Sequence, residues 1–191
     1  MKKLNLLIIL AVFAGMISCG GEEKKDFRDS VVALNDSHIE VFIELLPEVL
    51  SFSREYRGSL SPKDLDSPDF NQKFYKALSE NKNIKEIVVE YGFKDTEEFL
   101  KVYDNVAYAY ARLKGDFRNY DVQIAILEED IRNEKNDLKL KISRPNLHAE
   151  EKETLKSLLE IVAYKEIVLE NIKLVRLYQD RIAELEASFA Y

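Results

Sequence analysis

The chain has 191 residues, which suits one folded domain, and its 46% hydrophobic and 33% charged residues are typical of a folded protein rather than a disordered one. Its 28 basic and 35 acidic residues leave a formal charge of -7. This charge argues against a protein that wraps nucleic acid, because that function needs a concentrated basic face. Six glycines and four prolines are few, as expected where most residues are helical.

Residues 1–18 have the three parts of a secretory signal peptide. Lys2 and Lys3 form its charged start, and residues 6–17 form an apolar run of 12 residues. This run is shorter than the roughly 20 residues that a membrane-spanning helix needs. Cys19, the only cysteine, follows directly and has no partner for an internal disulfide, so its position favours modification.

The stretch Met16-Ile17-Ser18-Cys19-Gly20 resembles the lipobox of bacterial lipoproteins, with Met16 where the usual pattern has leucine. The resemblance implies that signal peptidase II cuts before Cys19 and that the thiol of Cys19 receives a diacylglyceryl group. It also implies fatty acylation of the new amino end, so that the chain is anchored in a lipid bilayer through several acyl chains, each worth about 0.8 kcal/mol per buried methylene. The alternative is an ordinary secreted protein with an incidental cysteine.

We expect residues 19–27 to be a lipidated tether and residues 28–191 to be one helical domain. That domain divides into short helices over residues 28–93 and a long hairpin over residues 94–191. Gly20 is not the aspartate that retains lipoproteins at the inner membrane of enteric bacteria. By this analogy the periplasmic face of the outer membrane is the favoured location, and the inner membrane and the cell surface are the alternatives.

Local signals mark the ends of the short helices. Asn35 or Ser37 is suited to cap the first of them. Ser67 as cap and Pro68 at the first helical position predict the start of another helix. Gly92 is expected to end the last short helix.

The remainder predicts two long helices, at about residues 95–142 and 148–190, that form an antiparallel hairpin with the shorter helices packed along it. Apolar residues recur in the first at steps of four and three, a spacing that keeps side chains on one helix face: Phe99, Tyr103, Val106, Tyr110, Leu113, Phe117, Tyr120, Ile124, Leu127 and Ile131. The second has its own series: Ile161, Tyr164, Val168, Asn171, Val175, Tyr178, Ile182, Leu185 and Phe189. Pro145 ends the first helix, and so short a connection favours antiparallel neighbours. Because the first series keeps its phase across Gly115, we expect one continuous helix there.

No strand-like alternation of convincing length occurs, so the sequence predicts an all-α fold. The turn Tyr91-Gly92-Phe93 and the residues after it resemble a segment of uncharacterised exported helical proteins of bacteria. The residues that carry this resemblance are Glu97, Phe99, Val106, Ala109 and Tyr110. It implies no activity.

The sequence contains no motif for catalysis, so we predict a protein that is not an enzyme and holds no metal or cofactor. His38 and His148 lie at expected helix starts and have no metal-ligand spacing. The acidic residues lie on charged helix faces, which is typical of a solvated surface.

Four tyrosines are candidates for lining a ligand cavity: Tyr103, Tyr110 and Tyr120 in the first long helix and Tyr164 in the second. Each brings an apolar ring and a hydroxyl that needs a partner, although such residues also serve as bulky core. Asn171 is the one polar residue of the second apolar series, and it either fixes the pairing of helices or faces water.

Two functions remain open. The leading hypothesis is a membrane-anchored, non-enzymatic helical lipoprotein that acts through protein contacts in the cell envelope. The alternative is a helical module that binds a small molecule or a lipid in its tyrosine-rich interior. We favour a monomer over a homodimer, because the short helices are expected to cover most of the hairpin's apolar surface.

Overall fold

A computed structural model describes residues 30–115 and 119–189, apart from the side chain of Asn71. The regular structure of these residues is helical and contains no strand, so the predicted all-α fold is confirmed. We number the eight helices that lie wholly within the described ranges α1 Asp36–Gly58, α2 Pro62–Leu65, α3 Phe70–Glu80, α4 Lys82–Glu90, α5 Thr96–Gly115, α6 Tyr120–Ile142, α7 Ala149–Leu177 and α8 Gln179–Ser188.

Helix α1 begins where the sequence supplies a cap. The side-chain oxygen of Asn35 accepts a hydrogen bond from the backbone N–H of His38 at 2.9 Å. This bond satisfies one of the amide groups that a helix leaves without a partner at its N-terminus. Of the two residues suited to the role, Asn35 is therefore the cap.

The helix predicted to start at Ser67 and Pro68 is α3, but it begins two residues later, at Phe70, and Asp69 before it makes no side-chain capping bond. The preceding Ser-Pro pair starts a separate short helix, α2, with Ser61 as its cap. The hydroxyl of Ser61 accepts the Asp64 N–H at 3.3 Å, and the Asp64 carboxylate accepts the Ser61 N–H at 3.2 Å. This reciprocal capping box distinguishes the first Ser-Pro pair from the second, which carries the same local signal at Pro68.

The turn from α4 to α5 follows the sequence closely. Gly92 has a φ of 88°, in the left-handed region that residues with a side chain rarely adopt. The N–H of Phe93 donates to the carbonyl of Val88 at 3.2 Å, the bond that closes a glycine-terminated helix end. Asp95 then caps α5 by accepting the N–H of Glu98 at 2.9 Å.

The prediction of one continuous helix across Gly115 is wrong. Helix α5 ends at Gly115, and Asn119, which precedes α6, has a φ of -131° and a ψ of 75°, outside the helical region. Glycine disfavours a helix by about 1 kcal/mol relative to alanine, which is a local reason for α5 to end there. The apolar series did not reveal this end, because each of the two helices buries its own part of the series.

Helix α5 runs parallel to α7. Near the middle of α5, the Oδ1 of Asn105 lies 3.4 Å from the Nδ2 of Asn171. Towards its end, Leu113 shares a small surface depression with Arg176, near the end of α7. Residue numbers on the two sides therefore rise together, so α5 does not belong to an antiparallel hairpin with α7.

Helix α6 runs in the opposite direction along α7. The guanidinium of Arg176 lies 5.5 Å from the ring centre of Tyr120 at the start of α6. Farther along, the Nζ of Lys135 lies 2.7 Å from the carboxylate of Glu166. Residue numbers rise on α6 while they fall on α7, so the antiparallel hairpin is formed by α6 and α7 alone.

Helix α7 is buried on two faces, because α5 packs against one of them and α6 against the other. Its buried side chains are Val162, Leu169, Asn171, Ile172 and Val175. The prediction that Ile161 faces a partner helix is wrong, because Ile161 is 40% exposed while its neighbour Val162 is fully buried. The predicted apolar series assumed one buried face, so it could not describe a helix that packs on two sides.

Among the shorter helices, α1 and α4 both pack on α5, and α8 packs on α1 and α7. The Phe42 ring of α1 lies 5.0 Å from the Tyr103 ring of α5. The guanidinium of Arg181 in α8 donates to both carboxylate oxygens of Glu40 in α1, at 2.6 and 2.8 Å. An aromatic contact on one side and an ion pair on the other thus hold α1 between α5 and α8.

Candidate functional site

Two asparagine side chains hold the segment of residues 30–34, which we call the docked segment and which is non-helical from residue 31 onward. The first is Asn105, in the middle of α5. Its Nδ2 donates to the carbonyl of Ser30 at 2.8 Å, and its Oδ1 accepts the N–H of Val32 at 3.4 Å. One amide side chain therefore serves two main-chain groups that lie two residues apart.

Asn171 in α7 repeats this arrangement one step farther along. Its Nδ2 donates to the carbonyl of Val32 at 2.8 Å, and its Oδ1 accepts the N–H of Leu34 at 2.8 Å. We call Asn105 and Asn171 the Asn pair. In an extended chain the main-chain groups that the pair binds point to the same edge, so the two amides take the place of a neighbouring strand.

The side chains of the docked segment follow the same geometry. Val32 and Leu34 are partly buried and pack against the core, whereas Ala33 between them is exposed. Alternation with a period of two is the pattern of an extended chain on an apolar surface. The segment is thus bound through one main-chain edge and through the side chains of Val32 and Leu34, while Val31 is partly buried outside the core cluster.

The Asn pair is built into the helices rather than exposed on them. Asn171 is only 4% exposed, and its Nδ2 also lies 3.4 Å from the Oδ1 of Asn105. The Nδ2 of Asn105 also donates to the carbonyl of Lys101, one helical turn earlier, at 2.8 Å. These bonds matter because a buried polar group without a partner costs about 1–3 kcal/mol.

The sequence reveals this site only in part. The sequence left two alternatives for Asn171, which were helix pairing and solvent exposure. In the structure Asn171 is buried, and its Oδ1 accepts a hydrogen bond from the backbone N–H of Leu34. Asn105 was not predicted. The signal that could have identified it is an asparagine beside the apolar seam residue Val106, because asparagine favours caps and turns over a helix interior.

Tyr103 and Tyr110, two of the four candidate tyrosines, are part of the packed interior. The ring of Tyr103 lies 5.0 Å from that of Phe42 and 5.9 Å from that of Phe99, and its burial raises the pKa of its hydroxyl. The hydroxyl of Tyr110 donates to the carboxylate of Glu186 at 2.9 Å. Burial, and then the charge of Glu186, raise the pKa of Tyr110.

The other two tyrosines lie nearer the surface. Tyr120 lines an open depression of about 90 Å³ together with Leu113, Arg176 and Gln179. This volume is well below the roughly 300 Å³ at which small-molecule sites begin. Tyr164 is half-buried on α7 and does not line this depression. The ligand-lining role of the four tyrosines stays a prediction.

Both histidines lie at the start of a helix. The His38 ring stacks on that of Phe93 with 6.2 Å between centres, and burial lowers the pKa of His38. His148 precedes α7 and makes no capping bond with its side chain. Within residues 30–115 and 119–189, no group of three or more His, Cys, Asp or Glu side chains is placed to hold a metal ion.

The far half of the α6–α7 hairpin differs from the remainder of the fold. We call residues 132–161 the arm and all other described residues the body. The apolar core cluster of the described residues includes none from the arm. All residues of the arm are described, and Leu138, at 6% exposed, is the only buried apolar side chain among them.

Charged pairs join the two helices at the base of the arm. The Nζ of Lys165 lies 2.7 Å from the carboxylate of Glu134, next to the pair of Lys135 and Glu166. Farther out, three large apolar side chains are exposed: Leu140, Leu158 and Ile161. In the antiparallel register set by the charged pairs, residue 140 lies opposite residues 158–161, so these three side chains are at the same level of the arm.

Cys19 and the tether of residues 19–27 lie outside the described residues. Among the helices that are described, none combines the length and the apolar character needed to cross a bilayer. Comparisons with protein-family models, with curated proteins and with solved structures find no match. The function must therefore be inferred from the chain's own residues.

Proposed function

We propose that the chain is a membrane-anchored bacterial lipoprotein that acts through protein contacts of its arm in the cell envelope. Acyl groups on Cys19 supply the anchor, and the periplasmic face of the outer membrane is the favoured location. The proposed role is structural or adaptor-like and involves no catalysis. The bilayer and an envelope protein are the partners.

The observation that carries the proposal is that the arm exposes large apolar side chains. Leu140 is 70% exposed, and Leu158 and Ile161 lie at the same level of the hairpin. Single exposed apolar residues are common, but a two-helix arm that lies outside the apolar core leaves such side chains available for contact with a protein partner. Lys139 and Lys141 flank Leu140 in the sequence.

The docked segment supports the part of the proposal that concerns membrane anchoring. It joins the proposed tether to the body at the Asn pair, so that a pull on Cys19 acts on α5 and α7. The eleven residues from Cys19 to Asp29 can reach at most about 36–40 Å when fully extended. An anchored body is thereby restricted to partners near the membrane surface.

The arm contact can be tested with a photo-crosslinking residue placed at Leu140 or at Leu158 in cells that export the full chain. We expect the same discrete adduct from both positions. The matched control is Val89, which is 58% exposed on the body, and it should not form that adduct. Equal crosslinking from Val89, or none from the arm, would contradict a role of the arm in protein contact.

The anchor is tested separately by mass spectrometry of the chain purified from membranes. A diacylglyceryl group on an N-terminal Cys19 is the expected result, and Cys19→Ser should leave the chain unprocessed and without lipid. An unmodified Cys19 with residues 1–18 still attached would refute the lipoprotein assignment, whatever the arm binds.

A further inference from the structure

We propose that the Asn pair and the apolar surface that Val32 and Leu34 contact, which we call the apolar hollow, form a binding site for extended polypeptide. The docked segment is the ligand that occupies this site in cis. The ligand class is a peptide with an apolar side chain at every second position. This inference does not depend on the lipidation of Cys19.

The first support is that the Asn pair binds main-chain atoms. Every bond between the pair and the docked segment ends on a carbonyl oxygen or a backbone N–H. All chains except at proline carry these groups, so this part of the recognition does not depend on sequence. Recognition by strand addition works in the same way, with main-chain bonds for affinity and side-chain hollows for selectivity.

The second support is the selectivity that the hollow provides. Val32 and Leu34 enter the apolar surface, while Ala33 points away from it. A ligand must therefore be apolar at two positions separated by one residue, and the residue between them is free to vary. These requirements are weak, so many extended segments can meet them.

The third support is that the Asn pair is preorganised. Asn105 is held by the carbonyl of Lys101 on its own helix, and Asn171 also contacts Asn105 directly. Both side chains therefore keep a protein partner when the docked segment leaves. Because the segment is covalently joined to α1, its high effective concentration makes it a strong competitor of any ligand in trans.

The test requires a full chain whose own segment no longer occupies the site. Leu34→Pro removes the N–H that Asn171 binds at 2.8 Å, and it leaves the Asn pair unchanged. We expect a fluorescent peptide of residues 28–36 to bind this variant saturably and in a 1:1 ratio. Binding to the unsubstituted chain should be at least tenfold weaker, because the cis segment competes.

Controls identify the atoms involved. Adding Asn171→Ala to Leu34→Pro should weaken peptide binding at least tenfold, whereas Asn133→Ala, at an exposed asparagine of α6, should have no effect. A peptide that is N-methylated at the position of Leu34 should bind at least tenfold more weakly, and one with serine in place of Ala33 should bind normally. Binding that survives Asn171→Ala, or no binding to a folded Leu34→Pro chain, overturns the proposal.

A second variant keeps the test decisive if Leu34→Pro lowers the folded fraction measured by circular dichroism. Val32→Asp retains every N–H of the segment and expels it by placing a charge against the apolar core. The same peptide should bind this variant, and the same Asn171→Ala substitution should abolish binding. If Val32→Asp is folded and binds no peptide, the site does not act in trans and the proposal fails.

Discussion

The body and the arm are made of similar helices but are held together differently. In the body, helices pack on several sides and enclose aromatic side chains such as Phe42, Phe99 and Tyr103, each at most 1% exposed. In the arm, two helices face only each other. Leu138 is the only buried apolar side chain among residues 132–161, all of which are described. Charged pairs cross the hairpin at the base of the arm.

The difference shows what a third layer of helices contributes. Two helices alone cannot enclose their seam, so residues such as Leu158 stay 43% exposed although they lie near the contact face. Where α5 packs on α7, residues such as Val175 are fully buried. The body is therefore where stability should be concentrated, and the arm is where apolar surface remains available for a partner.

The largest effect is expected from Phe99→Ala in the body. Phe99 is fully buried and contacts Phe93 and Tyr103, with ring centres 5.6 and 5.9 Å away. Its removal leaves a cavity that surrounding helices cannot close, at a cost of about 3–5 kcal/mol. Urea unfolding followed by circular dichroism measures this loss. A cost below about 1 kcal/mol would mean that the body core is loosely packed.

A smaller effect is expected from Leu138→Ala in the arm. The cost should be about 2 kcal/mol, at the low end for leucine, because water can enter the gap between two helices. Leu140→Ala, two residues away and 70% exposed, is the matched control and should cost less than about 0.5 kcal/mol. If Leu138→Ala proved as costly as Phe99→Ala, the arm would share the rigidity of the body.

Alkaline pH should destabilise the body through its buried tyrosines. Burial raises the pKa of Tyr103 above the value of about 10 that it has when unfolded, so the unfolded chain loses this proton first. The stability that this group contributes is complete below pH 10 and is lost as the pH rises, by up to about 1.4 kcal/mol per pH unit. Tyr103→Phe should flatten the fall in unfolding free energy between pH 10 and 11. Parallel curves for the two proteins would refute this origin.

The arm lacks tyrosine altogether, so this alkaline effect belongs to the body. Tyr178 shows a related shift at the body surface, where a hydrogen bond to Asp36 raises its pKa to about 12. The buried and the surface groups therefore act in the same direction at high pH.

The smallest effect is expected from the charged pairs at the base of the arm. Lys135→Met should cost less than about 1 kcal/mol, because Lys135 and Glu166 are both about one-third exposed. The cost should shrink further at 1 M salt, where screening acts over about 3 Å. A double-mutant cycle with Glu166→Gln measures the pair alone. A coupling that does not change with salt would exclude an electrostatic origin.

Local features of the fold were predictable because their causes lie within a few residues. The cap at Asn35 and the left-handed turn at Gly92 depend on the chemistry of the residue itself and its near neighbours. The same logic misplaced the start of α3 by two residues at Ser67, where the Ser-Pro pair, unlike that at Ser61, lacks an acidic residue three positions on to complete a capping box.

The direction of α5 was not predictable in this way. The apolar series continues in phase from Leu113 to Ile124, and a series records which face of a helix is buried without recording its partner. The chain reverses between α5 and α6, and each helix then buries its own part of the series against a different face of α7. For the same reason, Ile161 was predicted to face a partner helix although it is 40% exposed.

Composition and periodicity were enough to predict an all-α protein and buried positions such as Phe99, Tyr103 and Val175, because water selects apolar residues locally along each helix. Tertiary structure alone decided that α5 lies parallel to α7, that the hairpin consists of α6 and α7, and that Asn105 meets Asn171 over the docked segment. These contacts join residues up to 139 positions apart. Such pairings are chosen by the packing of the whole chain, and no short stretch of sequence records them.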